Sequence, residues 1–138
     1  MNFIQSIKSY LVSLQASGCV GKSERLVSKG TYEEASRVAR KGLALLARPY
    51  VIRNDPAAGS ILIVLTLQLE HLSNEHNLEG ASENDLADAY QLIKTIYPDD
   101  SKGKEYRDWL PYLESRLGIP EGGGSPSPLR SSAALPFR

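Results

Sequence analysis

Cysteine, tryptophan, long apolar runs and net charge are all scarce in this 138-residue chain. The lone Cys19 cannot close an internal disulfide or build a thiolate metal cluster, which fits a reducing, cytoplasmic setting. The longest apolar stretch, Ile61 to Leu65, is far short of the roughly 20 residues that cross a bilayer. No charged segment followed by an apolar core opens the chain, so a secretory leader is not expected. Lys and Arg total 16 and so do Asp and Glu, and that balance argues against an indiscriminate nucleic-acid or membrane binder. No Ser-His-Asp spacing or carboxylate pair stands out. His71 and His76, five apart on a helix, diverge by about 140° and cannot share one metal. Glu75, four beyond His71, offers at most a two-ligand pair. Neither catalysis, nor a cofactor, nor a metal is therefore expected.

What the chain does contain is helical periodicity, at 41% hydrophobic and 23% charged residues. Phe3, Ile4, Ile7, Leu11 and Leu14 fall on one helical stripe, with Asn2 available as a cap. Gly18 and Gly21 are expected to interrupt that helix, and residues 24–29 to form a short second one stopped by Gly30. Thr31 is expected to cap a third helix, with Tyr32, Ala35, Val38, Ala39, Gly42, Leu43 and Leu46 inward, ending at Arg48 and Pro49. Asn54-Asp55-Pro56 is a restart signal. Residues 60–72 alternate in part like a strand, but their length and helical neighbours predict a buried central helix. Ser82-Glu83-Asn84-Asp85 has the form of a capping box. It opens a helix with Leu86, Ala89, Tyr90, Ile93 and Tyr97 inward, ended by Pro98. A last helix over about 101–117 should be broken or kinked at Pro111 and stopped by Gly118. The fold class is all-α: five or six short antiparallel helices packed as helical hairpins. One domain is expected over 1–118. Residues 119–138, rich in Pro, Gly and Ser, read as a flexible tail.

Two local resemblances stand out. Gly30, Tyr32 and Ala35 occupy the turn, packing and close-approach positions of a tetratricopeptide repeat, in a stretch running on to Pro49. The stretch resembles the second half of that repeat. Cys19, Lys22 and Ser23 stand where the family's first helix carries an aromatic, Leu and Gly, and Gly42 replaces its second-helix Ala. The resemblance implies stacked helical hairpins whose exposed faces bind proteins. Separately, Ala16 to Ser23 is similar to the phosphate-binding loop of small GTPases. That likeness implies a cradle with Gly21, Lys22 on the phosphates and Ser23 on Mg²⁺. The residues before it have helical rather than strand periodicity, and no Asn-Lys-x-Asp motif follows, so an interhelical loop is expected there instead.

Divided along the chain, the zero net charge resolves into opposed regions. Residues 1–53 carry nine basic and three acidic side chains, residues 54–100 one and nine, and residues 101–138 six and four. The net charges are +6, −8 and +2. Arg37, Arg40, Lys41 and Arg48 share a helical stripe, while Asp85, Asp88, Asp99 and Asp100 lie in the acidic third, the first two expected on an outer helix face. Either these regions neutralise one another within the molecule or they meet a partner of complementary charge. Trp109, with Tyr106 and Tyr112 around Pro111, either closes one end of the core or anchors an interface. The expectation is a non-catalytic protein-binding module, possible in two forms: a dedicated inhibitor or immunity protein masking the basic cleft of a toxin or enzyme through its acidic residues, or a tetratricopeptide-like adaptor.

Overall fold

The computed structural model describes residues 3–51, 55–99 and 101–119. Asn2, Asn54, Asp100 and residues 120–138, all named above, lie outside them. The described residues form six helices: α1 (Phe3–Ser28), α2 (Tyr32–Leu46), α3 (Pro56–His76), α4 (Glu83–Ile96), α5 (Lys104–Arg107) and α6 (Leu110–Leu117). No strand occurs among them, so the all-α expectation holds. Successive helices α1 to α4 pack on one another, α3 also touches α1, and α6 packs on α4.

The first correction concerns α1. Gly18 and Gly21 do not break it, and the helix runs 26 residues without interruption. Each glycine costs about 1 kcal/mol against Ala in a helix interior. Propagation from an established helix tolerates that penalty. The stop comes at Gly30, in the left-handed region at φ +81°. There the Thr31 N–H reaches back to the Leu26 carbonyl (3.0 Å) and the Gly30 N–H to Val27 (3.0 Å), closing a Schellman turn. Thr31 does not cap α2 with its side chain; its hydroxyl donates instead to the Leu26 carbonyl at 3.0 Å. The α1–α2 hairpin is longer than a 34-residue repeat unit holds.

Helix α3 is the centre of the molecule, as its apolar content predicts. Leu62, Ile63, Leu65, Leu69 and Leu72 are all fully buried. Around them sit Leu43 and Leu46 of α2, Leu86, Ala89 and Ile93 of α4, and Leu113 of α6. Helix α4 begins where its sequence says it should, with the Ser82 hydroxyl accepting from the Asp85 N–H at 3.1 Å. The final helix is broken near Pro111, into α5 and α6. Pro111 occupies the first turn of α6, where a missing N–H costs nothing, and the break to α5 falls before it.

Helix α1 orients its faces against its own hydrophobic pattern. An apolar stripe ordinarily marks the core side of a helix. Here the buried residues are Ser9, Val12, Ser13, Ala16 and Ser23. Their small size permits close approach. At the contact with α2 and α3, a Cβ on Gly42 would lie 2.6 Å from Leu65 Cδ1 and 3.0 Å from Cys19 Cβ. The serines are hydrogen-bonded: the Ser13 hydroxyl donates to the Ser9 carbonyl (2.8 Å) and the Ser23 hydroxyl to the Ala35 carbonyl (3.0 Å). Phe3, Ile4, Ile7, Leu11 and Leu14 are left on the outside.

Candidate functional site

The outer face of α1 is the feature least explained by folding. Phe3, Ile4, Ile7, Tyr10, Leu11 and Leu14 are between 43% and 77% exposed, and they are the large exposed hydrophobics of the described structure. Single exposed apolar residues are ordinary, but a contiguous stripe of this kind marks an interaction surface. Between Phe3 and Gly21 only one charged side chain occurs, Lys8, and loss of charge is the compositional mark of an interface centre. Near its start the stripe borders a shallow groove formed by Ile4, Gln5, Lys8, Pro49 and Tyr50. Lys8 Nζ stands 5.7 Å from the centre of the Tyr50 ring. Gly18 is exposed with nothing within 4 Å of where its Cβ would be, and Gly21 has only the Arg25 guanidinium, at 3.6 Å.

The described charged residues singled out from the sequence lie on α2 and just beyond it, and on α4 and just beyond it. Arg37, Lys41 and Arg48 of the basic stripe are exposed, and Arg48 donates to the Tyr50 hydroxyl at 3.0 Å. Arg40 is half-buried and donates to the Glu79 (2.6 Å) and Gly80 (3.2 Å) carbonyls. It ties α2 to the α3–α4 loop. Asp85 and Asp88 are half-buried near the start of α4, Asp88 on the helical stripe of the exposed Asn84, Gln91 and Thr95, and both are engaged within the molecule. Asp99 is exposed beyond the end of α4, eleven residues on from Asp88. Its carboxylate accepts from the Ser101 hydroxyl and N–H, which holds its pKa below the ordinary value. Trp109 is half-buried and meets Tyr112 edge-on at 5.4 Å between ring centres, closing one end of the core. Tyr106 pairs instead with Tyr97, at 5.3 Å.

Gly21, Lys22 and Ser23 lie inside α1 rather than in a loop. Backbone N–H groups there are engaged in the helix, and the Ser23 hydroxyl is buried against Ala35. A phosphate cradle needs free N–H groups pointing at one site, and this geometry does not offer them. His76 stacks on Tyr32 at 3.5 Å between ring centres, joining the end of α3 to the start of α2. Among the described residues no three His, Cys, Asp or Glu side chains gather as a metal site. None of the described helices is long and apolar enough to cross a membrane.

Sequence reasoning missed one polar centre. Glu70, on the most apolar helix, is 1% exposed. Its Oε1 accepts from the Tyr112 hydroxyl and from Arg116 Nε (2.9 Å), and its Oε2 accepts from the Ala81 N–H (2.7 Å). A Cβ on Gly80 would overlap the same carboxylate. Burial and then the hydrogen bond to Glu70 push the Tyr112 hydroxyl up to about 12. The bond to Glu70 likewise raises Arg116. Nearby, the Tyr90 hydroxyl donates to Glu114 at 2.9 Å, and its pKa is raised by burial first and by that carboxylate second. The Glu70 cluster clamps α3, α6 and the loop at 77–82 together, and its buried groups already serve one another. A lone carboxylate in an apolar run, with Tyr112 and Arg116 four apart on a later helix, was the available signal.

No protein-family model matches the chain, and no curated protein or solved structure is significantly similar to it.

Proposed function

We propose that the chain is a non-catalytic protein-binding module. One observation carries this reading: α1 turns six large apolar side chains outward while its small face holds the fold together. Burying such a stripe against another protein removes apolar surface from water at about 25 cal/mol per Å². The fold does not need the stripe, so a binding partner is the physical reason for it.

Within that reading the chain acts as a dedicated inhibitor or immunity protein that covers a basic cleft. The net −8 over residues 54–100 supports this form, because complementary charge speeds association and rejects wrong partners. A tetratricopeptide-like adaptor is the second form, favoured by the left-handed turn at Gly30 and the fully buried Ala35. It is weakened because Arg40 of the basic stripe is committed to the loop carbonyls.

The test is co-purification of the tagged full chain with any protein, an untagged second copy included, beside Leu11→Glu and the pair Asp85→Lys and Asp88→Lys. The expected result is a bound protein that Leu11→Glu releases. For a heterologous partner, the aspartate reversals should slow association by about tenfold at low salt. A bound protein held equally well by Leu11→Glu removes the α1 stripe from the reading, and no bound protein at all overturns it.

A further inference from the structure

The exposed face of α1 has an order within it. Ile4, Ile7, Leu11, Leu14, Gly18 and Gly21 follow one another at spacings of three, four, three, four and three residues. That is the seam repeat by which one helix packs along another. The first four positions are bulky and exposed, and the last two have open space where a Cβ would be or only a flexible guanidinium beside it. Among the described residues, nothing lies within 4 Å of where a Cβ on Gly18 would stand.

We propose that this face binds a second copy of itself, α1 against α1, antiparallel about a two-fold axis between residues 12 and 13. In that register Ile4 meets Gly21 of the other copy, Ile7 meets Gly18, and Leu11 meets Leu14. Every bulky end faces a vacant one, and the surface is its own complement, as a two-fold interface requires. A parallel pair would set Ile on Ile and Gly on Gly, leaving voids at the glycine end. The seam from Ile4 to Gly21 runs about 26 Å, and the glycines allow the axes to approach to about 8 Å.

Area and charge agree with this occupant. Six side chains at 43% to 77% exposure offer roughly 600 Å² per copy, or about 1,200 Å² across the pair, the lower limit of a specific interface. Phe3 and Tyr10 flank the seam and widen it. Lys8, the one charge between Phe3 and Gly21, lies on the flank that the antiparallel two-fold pair sets beside Gln15 of the other copy, roughly 13 Å along the axis from its own mate. An anionic membrane is the poorer occupant, because an interfacial helix carries its cations on the face opposite the apolar one, and in α1 that face is buried serine and alanine.

This inference rests on the stripe being a protein contact, and the experiment separates the two. Sedimentation of the full 15.1 kDa chain at about 100 µM should give a mass near 30 kDa. Leu11→Glu should return it to a monomer, and Gly18→Leu should weaken pairing at least tenfold. Gly18→Ala should weaken pairing while raising the melting temperature of the dilute monomer by about 4 °C. In a Cys19→Ser background, Ile4→Cys with Gly21→Cys should oxidise to a covalent dimer and Ile4→Cys alone should not. A wild-type monomer at 100 µM, a dimer untouched by Leu11→Glu, or ready cross-linking through Ile4→Cys alone each overturns the proposal. So does binding to anionic phosphatidylserine vesicles that Leu11→Glu abolishes. A wild-type monomer that still holds a different protein through Leu11 would end self-pairing and leave the module reading standing.

Discussion

Helices α1 and α3 are the two longest in the molecule, and they use hydrophobic residues in opposite ways. Helix α3 buries Leu62, Ile63, Leu65, Leu67, Leu69 and Leu72, so its apolar mass is the core. Helix α1 buries three serines, one alanine and one valine, and turns its bulky residues outward. The difference shows that hydrophobicity alone does not decide what is buried. At the α1–α2–α3 junction, space is set by Gly42 pressed on Leu65 and Cys19. Only small side chains fit along α1 there, and hydroxyls that bond to carbonyls can be buried without penalty. The bulky residues of α1 remain for another use.

The comparison can be broken most strongly at α3. Leu65→Ala removes a fully buried side chain and should cost about 3 kcal/mol by urea unfolding. Glu70→Gln should follow at about 2–3 kcal/mol, because an amide NH2 in place of Oε2 cannot accept from the Ala81 N–H and the charge opposite Arg116 is lost. Chemical denaturation of the variant, with Arg116 left beside a neutral group, checks it.

Alkaline pH probes the same cluster. The folded Tyr112 hydroxyl sits at about 12 against an ordinary 10.0, so folding favours its protonated form. Its contribution is complete below pH 10 and is lost as pH rises from 10 to about 12, for a total on the order of 2 kcal/mol. Unfolding free energies at pH 9 and 11.5 should show that decline, and Tyr112→Phe should make it shallower, with the raised Tyr90 and Tyr106 hydroxyls accounting for what is left.

Glycine substitutions give the smallest and most discriminating effects. Gly42→Ala forces a Cβ against Leu65 and Cys19 and should destabilise by about 1 kcal/mol despite the better helix propensity. Gly18→Ala enters open space and should stabilise the monomer by about the same amount. Thermal melts of the two, at a concentration where the chain is monomeric, should move in opposite directions.

Much of the fold was legible where local chemistry and packing agree. Ser82 marked the start of α4, the apolar run over 60–72 marked the central helix, and Gly30 and Gly118 marked stops, both in left-handed geometry. Gly18 and Gly21 misled because the same residue that ends one helix is tolerated within another. Which outcome occurs depends on hydrogen bonds continuing through both positions of α1, not on the residue itself. Pro111 marked a real break, because a proline fits the opening turn of α6 better than the interior of a longer helix. The candidate site was the least legible part. The apolar stripe on α1 was visible, but its direction depends on the shape of α2 and α3 opposite it. The charged residues looked like surfaces on one helix at a time, whereas Arg40 and the loop at 79–80 meet only in the fold.

The central claim is that the bulky face of α1 lies outside the fold. Leu11 and Leu14 stand in the middle of that face at 53% and 52% exposure. The most direct test is the melting temperature of the double variant Leu11→Glu and Leu14→Glu, measured at a dilution where the chain is monomeric. A value within about 2 °C of wild type is predicted, since exposed substitutions usually stay within about 0.5 kcal/mol. A fall of about 10 °C or more would place that face in the core and contradict the account.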